Sequence, residues 1–132
     1  MLFRSGTYTA TITGTVATAG LTVSAKLDAV AITDTDTVVF VPGASDVGHS
    51  TVVVTDSPAT ADGVDAATVT VTLLDAFGNQ RLAGGEVVTI DSLGTGYSVS
   101  SVTDNADGTY TATITGTVAA ADLTVKIGRA HV

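Results

Sequence analysis

The sequence predicts an all-β sandwich. Along short segments such as residues 66–73, Ala, Val and Leu alternate with Thr. A period of two residues puts the apolar side chains on one face of a strand and the Thr side chains on the other. Turn residues separate these segments at short intervals, and no stretch has the period of a helix. Val, Ile and Thr also favour pleated strands over helices.

A long internal repeat indicates how the domains are organised. Twelve residues occur twice without a change, as Gly6–Ala17 and as Gly108–Ala119. The match resumes at Leu21–Val23 and Leu123–Val125, with the same offset of 102 positions. That offset is about the length of one sandwich domain and exceeds any solenoid period. The chain is therefore predicted to contain parts of two successive domains of a tandem array.

The individual strands follow from alternation and from the turns between them. Turn chemistry is clearest at Asp62-Gly63 and at Asp75–Asn79. The predicted strands are Tyr8–Ile12, Leu21–Ala25, Val30–Ile32, Val38–Val41, Thr51–Thr55, Ala67–Leu73, Val87–Ile90, Tyr97–Val102, Tyr110–Thr115 and Leu123–Val125.

One face of these strands should form the core. The predicted buried set is Ala67, Val69, Val71, Leu73, Val88, Ile90, Tyr110, Ala112, Ile114, Leu123 and Val125. The opposite face should be exposed, and it consists of Thr68, Thr70, Thr72, Thr111 and Thr113.

The domain junction is predicted at Pro42–Ser45, where an apolar strand ends and small polar residues follow. Residues 6–43 then supply the closing strands of one domain. Residues 44–126 supply most of the next domain, without its last strands. Residues 1–5 and 127–132 resemble translated sequencing adapters, so we expect foreign ends on an out-of-phase fragment of a longer gene.

The charge and the cysteine content restrict the function. The formal net charge is −8, and every acidic residue except Glu86 is an Asp. Such a surface repels nucleic acid and anionic lipid, so we expect neither nucleic-acid binding nor membrane insertion, but a soluble extracellular surface. The absence of Cys excludes a disulfide and a thiol nucleophile.

Two tyrosines are predicted to have a structural role. Tyr8 and Tyr110 each lie two residues after a glycine, Gly6 and Gly108, and Asp107 precedes the second glycine. This pattern is typical of the tyrosine corner, in which the hydroxyl bonds to the backbone of the preceding turn.

Calcium ligands are the main alternative function for the acidic turns. Asp104, Asn105 and Asp107 resemble half of a calcium loop, but they are one residue short of its spacing and no bidentate Glu follows. A turn capped by these side chains is favoured, and no cofactor is expected. Weaker candidates, which would stiffen the junction through calcium, are Asp28, Asp34, Asp36, Asp46 and Asp62.

No catalytic constellation is apparent. His49 is the one histidine outside the predicted foreign ends, so a zinc site lacks partners, and no nucleophile-elbow motif supports a Ser–His–Asp triad. We expect a solvated His49 and no enzyme activity.

The order of several motifs resembles a known family. Ala61-Asp62-Gly63, the alternating strand from Ala66, Asp75–Asn79 and Gly85-Glu86-Val87 follow one another as in the bacterial immunoglobulin-like domains of invasin and intimin adhesins. Asp107–Tyr110 also resembles the filamin-type repeat. The resemblance implies an immunoglobulin-like β-sandwich from a secreted or cell-surface array.

The predicted function is therefore a non-catalytic stalk or adhesion repeat. Its expected partners are the neighbouring repeats, with a host or matrix ligand bound through other domains. The alternative is an accessory spacer or carbohydrate-contacting module of a secreted multidomain hydrolase.

Overall fold

The computed structural model describes residues 5–129 and contains strands and turns without a helix in that range. The chain divides into an N-terminal unit, Met1–Val41, and a C-terminal unit, Pro42–Val132. This division lies beside the predicted junction at Pro42–Ser45. A search of the described residues finds no helix long and apolar enough to span a membrane.

The N-terminal unit contains two antiparallel strand pairs. The outer strands pair with Leu21 opposite Val38, and the inner strands pair across a two-residue turn. Asp28 and Ala29 in that turn have φ values of 50° and 67°, as a type I′ hairpin requires. The four strands are β1 (Thr18–Val23), β2 (Lys26–Leu27), β3 (Val30–Ala31) and β4 (Asp36–Phe40), and the pairs are β1–β4 and β2–β3.

The C-terminal unit contains two sheets. Its strands are β5 (Thr51–Thr55), β6 (Ala66–Thr72), β7 (Val88–Ile90), β8 (Tyr97–Val99), β9 (Thr103–Asp104), β10 (Thr109–Gly116) and β11 (Ile127–Arg129). The larger sheet has the order β5–β6–β10–β8, with β9 also paired to β10, and β7 pairs with β11. The first order is that of strands A, B, E and D of an immunoglobulin-like sandwich. The predicted all-β, immunoglobulin-like fold class is confirmed.

The core lies on the predicted face of β6 and β10. Val69, Val71, Leu73 and Tyr110 are at most 1% exposed, and Val88 completes the central cluster. Ala112 is also buried, while Ala67, Ile90, Ile114 and Val125 are half-buried. The strand register predicted from the alternation is therefore correct.

Two parts of the burial prediction are wrong. Thr68, Thr70, Thr72 and Thr111 are half-buried, and only Thr113 of that set is exposed. The Thr side chains of β6 have cross-strand neighbours on both sides, because β6 lies between β5 and β10, and Thr111 lies opposite Thr70. Thr113 stays exposed although it lies opposite Thr68. Leu123, predicted to be buried, is 42% exposed because its segment forms no strand.

The first copy of the repeat also differs from its prediction. Residues 7–14 form no strand, whereas their identical copy forms β10. β10 has β6 on one side and β8 on the other, and a strand needs such neighbours for its backbone hydrogen bonds. The strand predicted at Tyr8–Ile12 is therefore absent although its sequence is a good strand sequence.

Only part of each predicted foreign end lies within the described residues. Residues 1–4 and 130–132, parts of the ends predicted to be foreign, lie outside the described residues. Ile127–Arg129, also assigned to a foreign end, forms β11 and pairs with β7. The strand predicted just before it, Leu123–Val125, is not formed. The foreign origin of these ends stays a prediction.

Candidate functional site at the junction

The segment Pro42–Asp46, which we call the junction segment, is held at its start by one buried carboxylate. Asp75 is 4% exposed, and its Oδ2 accepts a hydrogen bond of 2.9 Å from the amide of Gly43. Ser45 forms a β-bridge with Asp75, and the amide of Asp46 donates to the carbonyl of Leu74 at 2.8 Å. The junction segment is thus fixed on the turn that follows β6.

That turn is organised around the same carboxylate. Asp75 Oδ1 accepts from the amides of Phe77 and Asn79, both at 2.9 Å, and the Asn79 side-chain amide donates to both carboxylate oxygens. Gly78, at φ +82°, closes the turn in a conformation that favours glycine. The turn predicted from Asp75–Asn79 is therefore formed, and its Asp also reaches the junction.

These hydrogen bonds stabilise the ionised form of Asp75. They hold the pKa of its carboxyl well below the ordinary 3.8, with the Gly43 amide as the largest cause and burial acting in the opposite direction. The stabilisation is therefore complete at neutral pH and above the ordinary pKa. It is lost only as the pH falls towards the lowered pKa of the folded state.

Arg81 holds the other side of the junction segment. Its Nη1 donates to the carbonyl of Gly43 and, at 3.4 Å, to that of Pro42. Its Nε lies 3.7 Å from Glu86 Oε2, and the hydroxyl of Ser45 donates to the same carboxylate oxygen. We call Asp75, Arg81 and Glu86 the junction clamp, because together they hold Gly43 and Ser45 from both sides.

The residues that follow the junction segment form a compact turn with Asp46. The Ser50 hydroxyl donates to the carbonyl of Asp46 at 2.9 Å and accepts from the amide of Leu74 at 3.0 Å. His49 pairs with the Asp46 carboxylate, and its side chain is 53% exposed. His49 therefore lies in solvent beside the junction, as the sequence predicted.

Tyr110 connects the clamp to the core. Its ring is 1% exposed, and its hydroxyl accepts a hydrogen bond of 3.2 Å from the amide of Glu86. Burial raises the pKa of the hydroxyl. The tyrosine-corner prediction placed the partner in the preceding turn; the partner instead lies on the segment before β7. Tyr110 is therefore held in the core by a contact that differs from the predicted one.

The other residues of the tyrosine pattern differ between the two copies. Gly108 is buried at φ +91°, and a Cβ there would lie 2.1 Å from the carbonyl oxygen of Arg81, so a side chain does not fit. Tyr8, the counterpart of Tyr110, is 81% exposed. Gly108 and Tyr110 are thus buried, whereas Tyr8 lies outside the core because its segment has no sheet. The structural role predicted for these residues and for Asp107 stays a prediction.

The calcium candidates of the second copy cap backbone amides. Asp104 accepts from the amides of Gly85 and Ala106, at 2.7 and 2.8 Å. Asp107 accepts from the amide and hydroxyl of Thr109, and these bonds lower the pKa of its carboxyl, the hydroxyl most. Asn105 donates to the same hydroxyl at 3.1 Å. These contacts are those of a capped turn.

The weaker candidates are also engaged locally. Asp36 accepts from the amide of Thr37, and Asp62 accepts from the amides of Val64 and Asp65, which lower the pKa of Asp62. Within residues 5–129 no three acidic or histidine side chains are arranged to hold a metal ion. Calcium binding stays an untested hypothesis for both groups of candidates, which are Asp104, Asn105 and Asp107 in the turn and Asp28, Asp34, Asp36, Asp46 and Asp62 around the junction.

Known protein families and solved structures place the chain among the immunoglobulin-like domains. The family model of invasin domain 3 matches residues 46–131, so the chain belongs to that family of immunoglobulin-like domains. The crystal structure of invasin, described as a bacterial integrin-binding protein, is similar with a TM-score of 0.57 and 29% identity. The similarity covers 82% of this chain and only 21% of that chain. No curated protein matches the sequence.

The sequence reasoning missed Arg81 and the role of Asp75 at the junction. In the sequence Asp75 belongs to a turn motif and Glu86 is the single Glu of a family-like motif, and nothing in the local pattern connects either residue to Gly43. The contacts span 32 residues from Gly43 to Asp75 and 41 from Ser45 to Glu86. Such pairings become visible only when the fold brings the segments together.

Proposed function

We propose that the chain is a non-catalytic structural repeat of a bacterial surface adhesin, which holds a distal binding domain away from the cell. The observation that carries this proposal is the junction clamp. Asp75, Arg81 and Glu86 bind backbone and hydroxyl groups of the junction segment, so the chain enters the C-terminal unit along a fixed path.

A fixed path matters for a spacer because free linkers give little reach. The end-to-end distance of a flexible linker grows only as the square root of its length. Pro42 further restricts the backbone at the entry to the junction. A junction segment with few free dihedral angles adds little flexible linker between repeats, and the neighbouring repeats are then the direct partners of the chain.

The family supports an adhesin more than a hydrolase accessory module. Integrin binding is said of invasin as a whole, and the present chain spans about a fifth of that protein. The proposed role is therefore to carry such an activity on other domains at the cell surface or outside the cell. A host or matrix ligand for this chain itself is not part of the proposal.

The proposal is tested by the hydrogen exchange of the Gly43 amide. In the full chain this amide should exchange slowly because Asp75 accepts its proton. Asp75→Asn removes the charge while keeping the shape, and exchange at Gly43 should become about tenfold faster. The matched control is Asp91→Asn, which removes one exposed carboxylate away from the junction and should leave Gly43 unchanged.

Two results would contradict the proposal. Exchange of Gly43 at the rate of an unstructured amide in the wild-type chain would mean that the clamp does not hold in solution. Equal acceleration by Asp75→Asn and Asp91→Asn would mean that any protection comes from general charge effects.

A further inference from the structure

An apolar cleft in the C-terminal unit lies beside the segment that was expected to form a strand. Its volume is about 350 Å³, and its walls include Ile114, Gly116, Leu123 and Val125. Leu123–Val125 forms no strand, and Leu123 is 42% exposed. Exposed apolar side chains beside unpaired backbone mark a sheet position that another strand can fill.

The same residues are covered in the other copy of the repeat. Leu21–Val23, the copy of Leu123–Val125, pairs with β4, with Leu21 opposite Val38. Gly14, the copy of Gly116, differs: a Cβ at Gly14 would be 3.6 Å from the Phe40 ring, whereas the Cβ position of Gly116 is already covered by the Tyr97 ring. The pairing of the repeated segment Leu21–Val23 is therefore the observation that names β4 as the strand for the cleft.

We propose that this cleft accepts β4 from a second copy of the chain. In the acceptor, β4 pairs antiparallel with Leu123–Val125 in the register that it has with Leu21–Val23. Val38 then lies opposite Leu123, beside the cleft. Reciprocal exchange of β4 between two copies gives a closed, twofold dimer.

The exchange is favoured because β4 is poorly supported in its own unit. It belongs to a two-stranded sheet in which Leu21 is 49% and Val39 is 56% exposed, and an isolated pair of strands is marginally stable in water. In the acceptor, Val125 already packs against the core. β4 keeps its backbone hydrogen bonds, the backbone of β1 bonds to water instead, and more apolar area is removed from water.

Charge adds a preference for the acceptor over β1. Lys126 occupies the position that Ser24 occupies in the first copy. In the proposed register Lys126 lies opposite Thr35, between Asp34 and Asp36. The part of the chain that the structure describes gives Lys126 no ion pair. The exchanged strand therefore meets a cation at the position where its own unit has Ser24.

Cysteine crosslinking tests the register directly, because the natural chain has no Cys. Chains carrying Val38→Cys are mixed with chains carrying Leu123→Cys and oxidised. The heterodimer should form in several-fold higher yield than with Leu82→Cys, a site that is 67% exposed and lies near the end of β10 opposite to the cleft. Equal yields overturn the proposal. A chain that carries both Val38→Cys and Leu123→Cys, and that forms the disulfide only within one copy, also overturns the proposal.

Sedimentation velocity over a concentration series is a second test, which measures the strength of the dimer. The wild-type chain should dimerise, and Lys126→Glu should weaken the dimer about two- to fivefold, as expected for one exposed ion pair. Lys26→Glu makes the same charge change on β2 and should weaken the dimer less. Circular dichroism verifies that the variants stay folded. A wild-type chain that remains monomeric up to the millimolar range, or equal effects of the two variants, contradicts the proposal.

Discussion

At the scale of single residues, Asp75 does two things with one carboxylate. It organises its own turn through Phe77 and Asn79, and it fixes the junction segment through Gly43. Because every bond goes to an N–H donor, the charge is satisfied although the side chain is buried. The turn alone would need only an Asx motif at the protein surface; the additional bond to Gly43 is what links this residue to the junction.

The packing of the core is tested by Val71→Ala. Val71 is fully buried between the two sheets, so the loss of two methyl groups and the remaining cavity should lower the free energy of unfolding by about 2 kcal/mol. Urea denaturation measures this change. Val53→Ala, at a site that is 52% exposed on β5, is the control and should change stability by less than about 0.5 kcal/mol. Similar losses at both sites would mean that Val71 is not in a packed core.

At the scale of elements, the two copies of one sequence separate local preference from context. Gly108–Ala119 contains β10, the centre of the larger sheet, whereas residues 7–14 form no strand. Tyr110 is 1% exposed and Tyr8 is 81% exposed. The difference lies in the neighbours, since β6 and β8 supply the hydrogen bonds and apolar surface that the first copy lacks.

Amide hydrogen exchange of the two copies follows from this difference. The copies have the same intrinsic exchange rates because their sequences are identical. The amides of residues 110–115 that bond to β6 or β8 should therefore be strongly protected, and those of residues 8–13 should exchange close to the intrinsic rate. Comparable protection in both copies would contradict the structure of the N-terminal unit.

The same contrast explains what the sequence could predict. Alternation located β5, β6 and β10 and placed Val69, Val71 and Tyr110 on the buried face, because the period of a strand is a local property. It failed at Tyr8–Ile12 and Leu123–Val125, where the pattern is equally good but no partner strand is present. The clamp was missed for a related reason: Gly43 and Asp75 are brought together only by the fold.

At the scale of the whole molecule, the chain combines family membership with an acidic surface and no cysteine. Its second unit has the strand order of an immunoglobulin-like sandwich, held by burial without a disulfide. An array of such units depends on two properties: each unit must fold, and the junctions must not bend freely. The acidic turns of the sheet concern the folding of the unit, and the junction clamp concerns the stiffness of the junction.

The thermal stability of the chain should not depend on calcium. Asp104 and Asp107 already accept hydrogen bonds from backbone amides, so a chelator should not shift the melting temperature. The measurement is a thermal melt with EDTA and with millimolar calcium. A calcium-dependent rise of several degrees would mean selective binding to the folded state and would restore the calcium-loop interpretation.

The most direct test of the central claim, a junction segment fixed on the C-terminal unit, is a distance measurement within that unit. Single cysteines at Ala44, in the junction segment, and at Val64, both exposed, carry spin labels for pulsed electron paramagnetic resonance on dilute, monomeric chain. The wild-type chain should give one narrow distance distribution, and Asp75→Asn should broaden it, whereas Asp91→Asn should not. A broad distribution in the wild-type chain, or one that Asp75→Asn leaves unchanged, would contradict the account.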